Sequence, residues 1–217
     1  MKKTITLILA FLLLCFGLSA CTDLKNNNDD NDGDGGNENS SPTTAANILV
    51  PYFSCTGNTE KIAEMIARET VGALHEIQPQ IPYTEADLDY YSGGRADREQ
   101  ADPAARPAIA NSVENMPDYD VIFLGYPIWH GQAPKIIYTF LESYDFAGKT
   151  IVPFCTSGSS GVGSSADNLR PLAQNADWKN GTRFSSKTTE SEIKAFVEQL
   201  NLDLKTDTNL LKIAVGN

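Results

Sequence analysis

Residues Asn47–Lys61 of this 217-residue chain read NILVPYFSCTGNTEK, and their pattern gives the first indication of the fold. Ile48 to Phe53 form a short apolar and aromatic run, which is typical of a buried strand. The next six positions, 54–59, are small and hydroxyl-rich, and an amphipathic pattern follows them. The stretch therefore predicts a strand, a tight loop and a helix. Because a helix N-terminus presents free backbone N–H groups and its dipole favours negative charge, the loop is suited to an anion.

This first loop lacks the features of three other phosphate-binding motifs. A nucleotide-hydrolase loop needs G-x-x-x-x-G-K-[ST], which is absent. A dinucleotide motif needs G-x-G-x-x-G, of which only Gly57 is present. A cysteine phosphatase loop pairs a Cys with an Arg six positions later, but here Cys55 is followed by Lys61, which lacks the bidentate guanidinium. With no Lys or Arg inside the loop, a phosphate would be held by N–H and O–H groups.

Strands and helices alternate about five times, which predicts an α/β fold with a parallel sheet and helices on both faces. Asp120–Tyr126 and Thr150–Cys155 are nearly all apolar, as strands covered on both faces are. Three loops, 54–59, 127–131 and 156–163, follow the carboxyl ends of strands. Ligands of such sheets bind beyond these ends, so we expect the three loops to form one site.

The remaining pattern places further elements along the chain. Ala73–Ile77 is predicted as an edge strand, Asp177–Phe184 as the last strand, and Thr189–Leu200 as an amphipathic helix that begins with a capping box. Pro79–Pro107 is a long excursion with one helical turn around Arg98–Ala101. A connection of this length is often functional, so it is either a solvated flap or a cover for a ligand.

Residues 1–20 have the three regions of a signal peptide: Lys2 and Lys3, an apolar run over Ile5–Leu18, and small residues before Cys21. Leu-Ser-Ala-Cys resembles the lipobox of bacterial lipoproteins, in which the Cys is acylated and becomes the new N-terminus. The resemblance implies export and a lipid anchor at Cys21 on the bacterial cell envelope, on the periplasmic or the cell-surface side. The alternative is an ordinary secretory peptide followed by a coincidental Cys.

Residues 21–46 are low-complexity and acidic, with almost nothing apolar to bury, which predicts a disordered tether. A calcium site at Asp29–Asp34 is the alternative, but the downstream Glu of a calcium loop is missing. The folded domain is predicted over 47–217, with a tail from 201 that packs back or contacts a partner. The net charge of −11 disfavours nucleic acid and suits a basic partner.

The first loop resembles the S/T-x-T-G-N-T loop with which the flavodoxin family holds the FMN phosphate. Gly125–Trp129 and Pro153–Gly158 resemble its second and third flavin-binding loops, so the likeness covers about residues 47–200. It implies a doubly wound five-stranded parallel sheet, order 2-1-3-4-5, in three α/β/α layers. The long insertion after the second strand is similar to that of longer flavodoxin-like proteins. The FMN-binding residues implied by the three loops are Ser54, Cys55, Thr56, Gly57, Asn58, Thr59, Pro127, Ile128, Trp129, His130, Gly131, Thr156, Ser157, Gly158 and Gly161.

The resemblance also implies a function, namely electron transfer through a non-covalent FMN by a monomer or weak dimer. A redox partner protein or a small quinone-like acceptor would receive the electrons. The alternatives are an NAD(P)H-dependent quinone or flavin reductase and a non-redox binding module. Small flavodoxins often carry an aromatic in the third loop, which this chain lacks, so Trp129 or a tyrosine of the insertion must stack on the ring. Loops without cations indicate a low reduction potential.

Four further side chains have open roles. His130 is either a proton relay, because histidine side chains in general can exchange a proton near neutral pH, or a loop-edge residue that only packs or faces water. His75 is expected to be exposed on the edge strand. Cys55 and Cys155 are expected to be free, buried thiols at strand ends, since strands one and four are not neighbours in this order; a nucleophilic Cys55 at a helix N-terminus is the alternative.

Overall fold

The computed structural model describes residues 46–202. The predictions for the signal peptide, for Cys21, for the tether up to residue 45 and for the tail beyond residue 202 lie outside the described residues. The elements are, in chain order, β1 Ile48–Tyr52, α1 Asn58–Thr70, β2 Ala73–Glu76, α2 Glu85–Leu88, α3 Arg95–Ala101, a 3-10 helix Met116–Asp118, β3 Val121–Pro127, α4 Lys135–Glu142, β4 Thr150–Thr156, α5 Gly163–Asp167, a 3-10 helix Arg170–Ala173, β5 Asp177–Trp178, β6 Thr182–Phe184 and α6 Glu190–Gln199.

The named strands pair in parallel in the order β2-β1-β3-β4-β5, with β6 also on β4, which confirms the doubly wound order 2-1-3-4-5. Within residues 46–202 the sheet has six strands rather than five, because the last predicted strand is divided into β5 and β6. Gly181 lies at the division, and a Cβ there would be 2.5 Å from the carbonyl oxygen of Pro153. Only a glycine lets the chain run this close to β4 before it pairs again.

The core has two apolar layers, one on each face of the sheet, because successive side chains of a strand point to opposite faces. In β1, Leu49 belongs to one layer and Val50 to the other. One layer holds α4 side chains such as Ile136, and the other holds α1 and α6 side chains such as Ile62 and Ile193. The three-layer α/β/α prediction is therefore confirmed. Among the helices of residues 46–202, none has the length and apolar character needed to cross a bilayer.

The insertion is more ordered than its sequence indicated. Two helices, α2 and α3, replace the single predicted turn, and α3 begins three residues earlier than that turn, at Arg95. Thr84 and Asp87 form a capping box at the start of α2. Backbone hydrogen bonds from Gln80 to Ala108 and from Ala110 to Gln78, both 2.8 Å, join the two ends of the insertion.

The edge strand β2 is confirmed, but His75 is half-buried rather than exposed. Its ring lies 6.5 Å from that of Phe140, and burial lowers the pKa of His75 below its usual value. The prediction was wrong because the sheet edge is partly covered by α4.

Candidate functional site

The three predicted loops meet at one edge of the sheet, because they leave three adjacent strands, β1, β3 and β4. The hydroxyls of Thr59 and Thr156 lie 2.7 Å apart and join the first loop to the third. The backbone N–H of Ile128 donates to the carbonyl of Thr156 at 3.0 Å and joins the second loop to the third. The structure thus brings the three loops together as expected.

The first loop enters α1 through Gly57, whose φ of 76° lies in the left-handed region that favours glycine. Gly57 has no side chain to cap this helix of 13 residues, so the first N–H groups of α1 receive no side-chain cap from the N-cap position. Asn58 Nδ2 donates to Thr56 Oγ1 at 3.0 Å, which orders the exposed turn. The loop therefore presents backbone donors at the positive end of a helix dipole.

Two adjoining cavities lie beside the loops, and Thr56 and Pro127 line both of them. The first, of about 220 Å³, is called the aromatic cavity here; its walls are Ser54, Cys55, Thr56, Thr59, Leu88, Tyr90, Ala96, Asp97, Pro127, Ile128, Trp129 and His130. The second, of about 610 Å³, is called the polar cavity; its walls are Thr56, Asn58, Pro127, Thr156, Ser157, Gly158, Arg183, Ser185, Ser186 and Lys187. Of the predicted site residues, Gly57, Gly131 and Gly161 line neither of these two cavities.

Trp129 is held in an aromatic cluster that joins the second loop to the insertion. Its ring lies 5.4 Å from Phe53 and 5.2 Å from Tyr83, in edge-to-face geometry. The guanidinium of Arg95 lies 3.6 Å from the centre of the Tyr83 ring. Burial, together with the hydrogen bond that its hydroxyl donates to Glu99, raises the pKa of Tyr83. The insertion therefore supplies one side of the cluster that positions Trp129.

His130 lies in a tight turn at the rim of the aromatic cavity. Trp129 and Gln132 exchange two backbone hydrogen bonds of 2.9 Å, and φ is 49° at His130 and 75° at Gly131, as in a type I′ turn. The His130 ring stacks on Tyr90 with centroids 4.3 Å apart, and its Nε2 lies 2.7 Å from a carboxylate oxygen of Asp97. A backbone hydrogen bond from Gly93, followed by the contact with His130, holds the pKa of Asp97 below its usual value.

The structure reveals a residue that the sequence did not single out, Gln100 of α3. Its amide donates to the carbonyls of Trp129 and Ala133 at 3.1 and 3.2 Å, and its Oε1 accepts from the backbone N–H of Lys135 at 3.1 Å. Pro134 at the N-cap of α4 offers no capping side chain, so Gln100 takes that part from another helix. No local sequence pattern predicts contacts between residues that are 29 to 35 positions apart.

The expectation of a site without cations needs correction. The loops themselves hold no Lys or Arg, but Arg183 and Lys187 line the polar cavity. Nη1 of Arg183 donates to the carbonyls of Ser157 and Gly158 at 3.1 and 3.3 Å. The sequence pattern did not predict these two cations at the site. Arg183 is placed beside the third loop by its pairing with Cys155 across β4 and β6, which is a tertiary contact.

Cys55 and Cys155 are both free thiols, as expected, but Cys55 is exposed rather than buried. It lies beyond the end of β1, in the loop, and so outside the sheet. Partial desolvation still raises the pKa of the Cys55 thiol to about 12, and burial raises that of Cys155 to about 12. Both thiols are therefore protonated at neutral pH, which argues against the nucleophilic role considered for Cys55.

A family model and two solved structures resemble this chain over most of its length. The family model described as flavodoxin matches residues 47–200. A candidate flavoprotein from Bacteroides eggerthii DSM 20697 is 44% identical, with 72% of this chain and 99% of that chain covered and a TM-score of 0.69. A second, from Bacteroides uniformis ATCC 8492, is 38% identical, with 71% and 99% covered and a TM-score of 0.68.

A more distant solved structure holds a ligand. It is a flavoprotein in complex with FMN from Lactobacillus acidophilus NCFM, 21% identical, with 70% of this chain and 99% of that chain covered and a TM-score of 0.52. At this identity the likeness concerns the fold alone. Comparison with curated proteins gave no match.

Proposed function

Because the chain belongs to the flavodoxin family, we propose that residues 47–200 bind FMN non-covalently and transfer electrons through it. The observation that carries the proposal is the pair of adjoining cavities that share Thr56 and Pro127. One is walled by aromatic side chains and the other by hydroxyls, amides and cations. FMN has the same division, with a planar ring at one end and a phosphate at the other.

The residues present fit both ends of FMN. At the phosphate end, the uncapped N–H groups at the start of α1 and the side chains of Thr56 and Asn58 supply donors. At the ring end, the third loop carries no aromatic residue, but Trp129 and Tyr90 line the aromatic cavity. FMN would supply one- and two-electron chemistry, while the protein supplies position and electrostatics.

The insertion contributes to this site as a cover. Leu88, Tyr90, Ala96 and Asp97 all belong to it and line the aromatic cavity. Of the two roles considered for residues 79–107, these contacts support a ligand-covering one. A cover that excludes water strengthens the electrostatic interactions inside the site. Asp97 would hold the His130 ring in a fixed orientation at the rim, within reach of a proton that accompanies electron transfer.

Anchoring and partners form a second part of the proposal. The lipobox-like sequence before Cys21 supports export and a lipid anchor on the cell envelope, so the domain would act beside a membrane. The acidic chain would meet a basic redox protein, or pass electrons to a small quinone-like molecule that enters at the flavin.

The test is the absorbance spectrum of the purified protein after incubation with FMN and removal of the free flavin, followed by anaerobic chemical reduction. We expect one bound flavin per chain, with a perturbed visible spectrum that bleaches on reduction and returns with an added one-electron acceptor. A protein that retains no flavin would support the non-redox binding module. Oxidation of added NAD(P)H by the loaded protein would favour the reductase alternative.

A further inference from the structure

One wall of the polar cavity comes from a part of the chain outside the three loops. Residues 183–187, called the basic segment here, comprise the last two residues of β6 and the turn that follows. All of them except Phe184, which is buried, line the polar cavity. The first loop lines the same cavity through Thr56 and Asn58, the side chains assigned to the phosphate. The basic segment and the first loop therefore border the same space.

The basic segment is held in place by contacts with the core and with α1. The side chain of Phe184 belongs to the apolar layer that also holds α1 and α6. The backbone N–H of Thr188 donates to the carbonyl of Ser185 at 3.1 Å, which closes the turn. Nζ of Lys61, in the first turn of α1, donates to the carbonyl of Ser186 at 3.2 Å. This last bond ties the turn to the helix that the first loop enters.

The two cations of the basic segment, Arg183 and Lys187, keep donors available for a ligand. Nη1 of Arg183 donates to the carbonyls of Ser157 and Gly158, but within residues 46–202 its Nε and Nη2 make no hydrogen bond. Over the same range, the ammonium group of Lys187 makes no hydrogen bond and no ion pair. Both residues are exposed. Each can therefore offer a charged donor to an anion in the cavity.

No carboxylate lies among the residues of the polar cavity to compensate these charges, although the chain as a whole is acidic, with a net charge of −11. Within the described part of the chain, Lys61 also forms no ion pair. Glu60, the acidic residue of the first turn of α1, lines neither cavity, and its Oε1 lies 3.4 Å from the hydroxyl of Tyr52. An acidic protein thus presents a local positive field at this cavity.

We propose that Arg183 and Lys187 bind the phosphate of the flavin, so that the site recognises a phosphomonoester by its charge as well as through the neutral donors of the first loop. The inference rests on the proposed function. A phosphomonoester carries a charge of about −1.5 to −2 at pH 7, and hydrogen bonds between ionised partners are roughly twice as strong as neutral ones. The first loop without cations therefore supplies only part of the phosphate site, and the basic segment supplies the opposite charge.

Lys187→Gln is the main test, because it removes the charge from a side chain that holds no other part of the structure. Arg183→Gln removes the second charge, but also a donor to the carbonyls of the third loop. Lys187→Arg and Arg183→Lys keep the charge and change only the shape of the donor. Lys194→Gln is the matched control, because it changes the net charge equally but lies exposed on α6 and lines neither cavity.

The experiment is a titration of each purified protein, stripped of flavin, with FMN and separately with riboflavin, followed by flavin fluorescence at low and at high salt. We expect Lys187→Gln and Arg183→Gln each to raise the Kd of FMN at least about tenfold at low salt, because a charge-assisted hydrogen bond to the phosphate is lost. The Kd of riboflavin should change less than about twofold, because riboflavin has no phosphate for these charges to bind. High salt should reduce the effect on FMN, since it screens exposed charges.

The charge-preserving variants and the control make the result specific. Lys187→Arg and Lys194→Gln should keep the Kd of FMN within about threefold of the unsubstituted protein, because neither removes a charge from the polar cavity. An equal loss of FMN affinity in Lys194→Gln would overturn the inference, because net charge alone would then explain the effect. Melting of each flavin-free variant shows whether it folds; if Arg183→Gln does not, Arg183→Lys and the two Lys187 variants complete the test.

The comparison of FMN with riboflavin decides how a failure is interpreted. If the unsubstituted protein bound FMN and Lys187→Gln and Arg183→Gln bound it equally well, this inference would be overturned and the proposed function would stand. An equal loss of FMN and riboflavin affinity would also overturn it, because the basic segment would then support the shape of the site and not the phosphate. If the unsubstituted protein bound no FMN, the proposed function would fail, and this inference with it.

Discussion

Thr59 has only 1% of its surface exposed, and its hydroxyl shares a hydrogen bond of 2.7 Å with that of Thr156. Thr56, three positions earlier, is exposed and lines both cavities. The loop motif gives the two threonines the same role, but the structure separates them. Thr59 joins the first and third loops, whereas Thr56 is free to donate to a ligand. The sequence could not show this, because the partner of Thr59 lies 97 positions away.

The two threonines should respond differently to truncation. Thr59→Ala should lower the free energy of unfolding by about 1–3 kcal/mol, because it leaves the hydroxyl of Thr156 buried without that partner. Thr56→Ala should leave stability within about 0.5 kcal/mol, as exposed substitutions usually do. Thr56→Ala should nevertheless weaken the binding of FMN at least about tenfold, because a charge-assisted hydrogen bond to the phosphate is lost. Urea unfolding and FMN titration of both apoproteins measure this; an equal loss of stability in the two variants would contradict it.

Asp97 makes a pH-dependent contribution at the rim of the aromatic cavity. Because its folded pKa is depressed, first by the Gly93 N–H and then by His130, its contribution to stability is present above the unfolded pKa of about 3.9. It is lost as the pH falls through the lower, folded pKa. The difference in unfolding free energy between the unsubstituted protein and Asp97→Asn should therefore shrink as the pH falls below about pH 4. A difference that stays undiminished between about pH 4 and about pH 2 would contradict this assignment.

At the scale of elements, the apolar runs predicted β1, β3 and β4 to within about one residue, since strands buried on both faces have an unambiguous composition. The short strands β5 and β6 were merged, because two or three residues leave no periodicity and their pairing depends on β4. The two helices of the insertion were reduced to one turn, because helices of four and seven residues leave little periodicity in the sequence. Fold and loop positions were thus accessible from local pattern, whereas the contacts that complete the site are long-range.

The hydrogen bonds that Gln100 of α3 makes to the second loop and to the start of α4 can be tested at this scale. Gln100→Ala removes two donors and the acceptor that caps α4, so Tm should fall and amide exchange at Lys135 should accelerate. Gln174→Ala is the control, because this exposed side chain donates to the nearby carbonyl of Pro171 and, within residues 46–202, makes no hydrogen bond to the second loop or to α4. Hydrogen-exchange mass spectrometry of both variants measures the difference. Equal exchange at Lys135 in the two would show that α3 does not hold the second loop.

At the scale of the whole molecule, the proposed export constrains how FMN is acquired. Lys2-Lys3 is not a twin-arginine signal, so we infer that the chain crosses the membrane unfolded. The three loops come from positions 54 to 163, and an unfolded chain cannot hold FMN between them. The domain would then fold first and bind FMN outside the cytoplasm, with an occupancy set by mass action. FMN at 100 times its Kd should stabilise the folded state by about 2.7 kcal/mol.

Binding of FMN by the first loop is best tested by melting the chain without residues 1–20, stripped of flavin, in the presence of FMN or riboflavin. FMN should raise Tm, and riboflavin should raise it less, because the first loop then has no phosphate to bind. Thr56→Ala should reduce the difference between the two ligands. Equal shifts with FMN and riboflavin would contradict the phosphate-binding role of the first loop, and no shift with either would contradict the assignment of FMN.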